Sequence, residues 1–174
     1  GPTVVTAADG GFTLEGRTRR RLILTHPLGG GVFRDARQVR VSAPGLVDGY
    51  ATAGFVNNWS GPGPTLYVVP VLMFPADAGE TPLHALTGDC IQRPDQHHAV
   101  HVAAYVAALD PAGPPDWMDA DAVDGLIEHL DRVLPFSGFD ACAQGEAARA
   151  LFFAQTAPLR ALQTPRTIVM PRPD

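Results

Sequence analysis

Residues 65–74 read TLYVVPVLMF, and the way these ten positions are read decides the fold. Leu66, Val68 and Pro70 alternate with Tyr67, Val69 and Val71, so at a period of two both faces are apolar. That pattern reads as a central strand, bent or ended by Pro70, which has no N–H for a sheet ladder. Upstream, residues 3–7, 12–14, 20–26, 37–43 and 50–57 are further strand-type runs separated by turn chemistry. Asp9-Gly10-Gly11 reads as a hairpin turn, because glycine accepts the positive φ that such turns demand. In residues 37–43, Val39 and Val41 alternate with Gln38 and Arg40, the pattern of a half-buried strand.

Downstream of Phe74 the apolar period lengthens. Residues 95–109 read as a helix opened by Pro94 and capped by Asp95. Asp119 or Asp121 caps a second helix, on which Val123, Leu126, Ile127, Leu130, Val133 and Leu134 form one stripe before Pro135 ends it. A third helix is expected over 144–156, with Leu151 and Phe152 inward and Pro158 as its stop. Residues 167–170 read as a return strand. The whole predicts one α+β domain over 1–174: a mainly antiparallel sheet or partial barrel from the N-terminal half (1–74), packed by about three C-terminal helices (80–160).

Composition sets the outer limits. The chain has 174 residues, 45% of them hydrophobic and 18% charged, which suits one globular domain with a continuous core. Gly and Pro are numerous, 18 and 17, and predict many turns. All 13 cations are arginine, since no lysine occurs. A GC-rich coding sequence explains that more simply than function does. The longest apolar run, 68–74, is far short of the roughly 20 residues of a membrane span. Cys90 and Cys142 are too few for a disulfide framework, so the default expectation is a cytoplasmic protein with two free thiols. A single bridge goes with export, and a trimmed signal peptide leaves no trace. Gly1-Pro2 resembles the pair left by tag cleavage, which places the natural start upstream.

Three histidines crowd the start of the expected first long helix. His97 and His101 stand one turn apart on one face, a spacing that can hold a metal such as zinc. A zincin helix has its general-base glutamate at the position occupied here by His98, so that motif fails. His84, Asp89, Cys90 and Asp95 are near enough in sequence to complete a site, but no recognised metal spacing joins them. The incomplete set ranks a polar helix start above a ligand set, and no cofactor is predicted. Cys90, ahead of the same helix, is a nucleophile candidate with His97 or His98 as base, although Asp89 beside it opposes a thiolate. The acids at 116, 119, 121, 124, 128 and 131 lack EF-hand spacing and read as capping and a solvated face.

Charge is uneven along the chain. Residues 1–60 hold seven arginines against four acids, 7 − 4 = +3, and residues 61–174 hold six against fourteen, 6 − 14 = −8, together the net −5 of the whole chain. Arg17, Arg19 and Arg21 fall on one strand face by period two and suit an acidic or phosphate-bearing ligand. Trp59, in a turn-rich stretch, is a candidate contact anchor. The overall acidity, with pI near 5.6, argues against general nucleic-acid affinity. Gly29-Gly30-Gly31 is not a phosphate loop, since no P-loop lysine follows it. The expectation is a non-catalytic binding module that engages a protein or anionic ligand through Arg17, Arg19, Arg21 and Trp59. The alternative is a small metal-dependent or cysteine-dependent enzyme centred on Cys90, His97 and His101.

Overall fold

A computed structural model describes residues 2–15, 33–57, 67–110 and 112–163. The chain divides into two compact units, residues 1–35 with 55–65, and residues 36–54 with 66–174. In the first, the Asp9-Gly10-Gly11 turn forms as expected. The Ala7 N–H donates to the Gly11 carbonyl over 2.8 Å, and Gly10 takes φ 80°. The flanking residues 3–7 and 12–14, however, form no strands.

Two strands, β1 (Phe33–Val41) and β2 (Gly49–Asn57), pair as a small antiparallel sheet. The alternation read in β1 is present: Val39 and Val41 are half-buried, while Gln38 and Arg40 are exposed. Arg40 pairs with Asp48 at 2.7 Å. No partial barrel forms among the described residues, where these are the only two strands. Residues 20–26 and 167–170 lie outside the described residues.

The expected central strand is also not one over its described part, 67–74. That segment is irregular, tied at its end by Val47 N–H donating to the Phe74 carbonyl (2.8 Å) and by an isolated bridge between Leu46 and Pro75. Its apolar residues are satisfied by helices instead of by strands. Val69, Leu72 and Phe74 pack against the helical core, and Val69 approaches α3 (Ala120–Val133) so closely that a Cβ on Gly125 would stand 1.8 Å from Val69 Cγ1. With Pro70 unable to donate to a ladder, packing rather than pairing places the segment.

Among the described residues, four helices make the body of this unit. α1 (Pro82–Thr87), not read as a separate helix from the sequence, starts with Pro82 at its first turn after an N-cap Thr81 that exchanges hydrogen bonds with His84. α2 (Pro94–Ala107) begins where Pro94 indicates, but its N-cap is Arg93. The Asp95 carboxylate lies two positions too late to cap and accepts instead from the Gln96 N–H (3.1 Å). α3 is capped by Asp119, whose carboxylate accepts from Ala122 N–H at 2.8 Å. Its stripe of Val123, Leu126, Ile127, Leu130 and Val133 is buried throughout, as is Leu134 just beyond it.

After a 3₁₀ turn at Phe136–Ala141, α4 runs from Gly145 to Ala161. Pro158 lies inside α4 and does not stop it. The turn beyond it is held by fully buried Leu159 and by Arg160, which reaches Asp131 of α3 (3.2 Å), so tertiary contacts offset the missing N–H. Leu83, Val100, Val102, Leu130, Phe139 and Phe152 fill the centre, each large apolar side chain contributing about 1.5–3 kcal/mol on burial.

The two sulfurs are bonded. Cys90, just after α1, and Cys142, just after the 3₁₀ turn, form a disulfide with Cα atoms 5.0 Å apart. Beside it, the Asp89 carboxylate accepts from the Ala143 N–H (2.9 Å). The expectation of two free thiols is therefore corrected: the α1–α2 connection and the end of the 3₁₀ turn bring the sulfurs together from 52 residues apart.

Candidate functional site

α1 and α2 meet at their histidines. His97 and His101, one turn apart on α2, are joined there by His84 of α1. The ring of His84 lies nearly parallel to that of His97, centroids 5.7 Å apart at 13°, and tilted against that of His101 at 4.6 Å. All three are half-buried. On its other edge, His84 Nδ1 lies 3.0 Å from Thr81 Oγ1 and accepts from the Thr81 N–H at 3.2 Å. Phe74 stacks on His101 at 5.4 Å. Burial first, then the neighbouring His101 and His97, push His84 down to about 4. His101 is lowered by burial and then by His97. At neutral pH both are uncharged imidazoles, and the acceptor nitrogen of His84 is the one that takes the Thr81 N–H.

His98 turns the other way and is buried, which the reading of a polar helix start does not anticipate. Its Nε2 contacts the Leu72 carbonyl at 2.9 Å. A carbonyl only accepts, so Nε2 carries the hydrogen and Nδ1 is bare. Across from it lies His129 of α3, equally buried, with centroids 6.3 Å apart. Neither ring nitrogen of His129 has a partner among the described residues, and nor does His98 Nδ1. In the sequence, the position of His129 next to the α3 stripe is the one signal that points to this pair.

Cys90 lies beside neither function proposed for it. As half of a disulfide it has no thiolate to attack with, which removes the cysteine-enzyme reading while the bridge is intact. Asp89, Cys90 and Cys142 bring ligand-type atoms within 4.8 Å of one another, the one such trio among the described residues. With the sulfurs bonded to each other, that trio offers no thiolate ligand. The three imidazole groups around His84 are gathered less tightly than this trio. Arg17, Arg19, Arg21 and Trp59 lie outside the described residues.

Two further surfaces were not anticipated. Gln38, Thr52, Arg93, Asp95, Arg132 and Val133 line an open groove of about 290 Å³. Its guanidinium groups are already matched, Arg93 to Asp95 at 3.3 Å and Arg132 to Glu128. The second surface is aromatic. Phe136 of the 3₁₀ turn is 62% exposed and Phe153 of α4 36% exposed, with centroids 6.1 Å apart. The Arg149 guanidinium lies 4.0 Å from the Phe136 ring centroid and that of Arg160 5.2 Å from Phe153. Asp140 and Asp131 hold the two arginines in place. At about 100° per residue, positions 149, 153 and 160 share one face of a helix, a spacing that marks the surface in the sequence itself.

No protein-family model matches this chain, and no curated protein and no solved structure matches it either.

Proposed function

We propose that this chain is a non-catalytic protein-binding module whose contact face in the described region is Phe136, Arg149, Phe153 and Arg160. The observation that carries this reading is the pair of exposed phenylalanine rings, each covered by a guanidinium that an aspartate holds. Aromatic side chains and arginine are enriched at the centres of protein interfaces. Rings already fixed in place lose little freedom on binding, so more of the contact energy appears as affinity. The partner that fits presents an apolar side chain to the rings. The disulfide supports a working place in an oxidising compartment. The groove at Arg93 and Arg132 supports an anionic ligand less well, because each arginine there already has a carboxylate.

The test is affinity capture from native extract with the wild type and a Phe136→Ser/Phe153→Ser variant, each checked for folding by circular dichroism. A partner retained by the wild type and reduced at least about tenfold by the variant supports the reading, as expected for loss of two interface anchors. Equal capture by both sinks it. Arg17, Arg19, Arg21 and Trp59 remain proposed as a second contact region for an anionic ligand. Charge reversal at Arg19 and Arg21 tests that separately, through a salt-dependent loss of binding without loss of stability.

A further inference from the structure

We infer that His84, His97 and His101 form a three-imidazole binding site for a transition-metal ion of the zinc class. The inference is independent of the aromatic contact face. Two helices supply the ligands: α2 gives the pair one turn apart, and α1, fixed by Thr81 and Pro82, brings His84 against both. The ring and hydrogen-bond contacts of His84 run to His97, His101 and Thr81, so the side chains gathered here as ligands are imidazoles. Three imidazoles with an open fourth position are an accepted zinc ligand set. The rings are half-buried, which leaves a path for the ion from solvent.

The surroundings hold a group that can serve as an outer shell. Metal-ligating histidines almost always donate the second ring N–H to a fixed acceptor. For His84, once Nδ1 carries the hydrogen, that acceptor is Thr81 Oγ1, 3.0 Å away, which leaves Nε2 for the ion. Binding therefore selects the Nδ1–H tautomer and gives up the contact that Nδ1 now accepts from the Thr81 N–H. Phe74 holds the plane of His101 by stacking. Coordination at about 2.0–2.1 Å requires the three rings to turn inward about their side-chain torsions. In the structure the ring of His84 lies against those of His97 and His101.

The experiment uses the full chain with its disulfide intact and zinc chloride alone as the probe. Isothermal titration at about pH 7.5 reads stoichiometry and affinity, and thermal unfolding with and without zinc reads whether the folded state is the one that binds. The expected result is close to one equivalent of zinc, a raised melting temperature reversed by chelator, and at least a roughly 100-fold loss of affinity in His97→Ala/His101→Ala. Thr81→Val is expected to weaken binding by about 10- to 100-fold, as loss of an outer-shell partner does elsewhere. Because His84→Ala also removes a helix-cap contact, nitrogen-detected NMR of the histidine rings in the wild type provides a second reading. Zinc should shift ring nitrogens of His84, His97 and His101 and leave those of His129 in place. No binding at millimolar zinc overturns the inference. So does binding that survives the double substitution, or zinc that moves the rings of His97 and His101 without moving that of His84.

Discussion

The ring of His129 faces that of His98 across the contact between α3 and α2, with centroids 6.3 Å apart and both side chains sealed from solvent. Burial first, then His98, hold His129 down to about 4; Asp95 pulls it upward and Arg132 further down. A histidine whose folded value lies below its unfolded 6.5 is neutral in the fold and gains protons on unfolding. Its contribution is fully present above pH 6.5 and is lost as pH falls toward about 4. Urea midpoints measured between those limits should decline with acidity, by on the order of 3 kcal/mol for this group. His129→Leu should flatten that decline. A slope unchanged by the substitution would place the acid sensitivity elsewhere.

Gly125 and Val69 make a second test. Alanine is a better helix former than glycine by about 1 kcal/mol, so Gly125→Ala stabilises an exposed helix. Here the new methyl overlaps Val69, and the expected net effect is a loss of about 1–3 kcal/mol from overpacking. Pairing it with Val69→Ala should recover part of that loss. Chemical denaturation of the two variants decides it, and a neutral single variant would show that residues 67–74 move away freely.

Reduction probes the bridge. A disulfide closing a loop of this length restricts the unfolded chain by an entropy worth about 4 kcal/mol. Cys90→Ser/Cys142→Ser should therefore unfold at lower denaturant concentration than the oxidised protein. Thiol titration of oxidised protein under denaturing conditions should find no free sulfhydryl. Two titratable thiols in protein purified without reductant would contradict the bonded pair.

Leu130, fully buried on α3, tests the core stripe. Leu130→Ala should cost about 2–5 kcal/mol through the cavity left behind. Comparison of urea midpoints with the wild type measures it directly.

What could be read from the sequence follows the range of the forces involved. α3 and α2 were legible because their signals are local: a capping aspartate at 119, a proline at 94, and apolar residues repeating along one face. β1 and β2 were legible for the same reason. The segment 67–74 was misread because apolar residues on both faces suit a central strand and a coil buried under helices equally well. The Gly125 contact that separates the two is between residues far apart in the chain. Pro158 was misread as a stop because the buried Leu159 and the Arg160–Asp131 pair lie outside any local rule. In the candidate site, the spacing of His97 and His101 was visible. The approach of His84 depends on how α1 folds back on α2, which no spacing rule encodes.

Closing 90 to 142 covalently makes α2, α3 and the 3₁₀ turn parts of one ring of chain. A ring has no ends, so one protease cut within it opens the ring without releasing a fragment. The connection between α2 and α3 has exposed residues at 112–114 and 116, where such a cut is most accessible. A molecule nicked there migrates as one species until reductant is added, and its two pieces keep their shared core in register meanwhile. In a protease-rich setting, survival of the fold then depends on the bridge more than on an unbroken backbone.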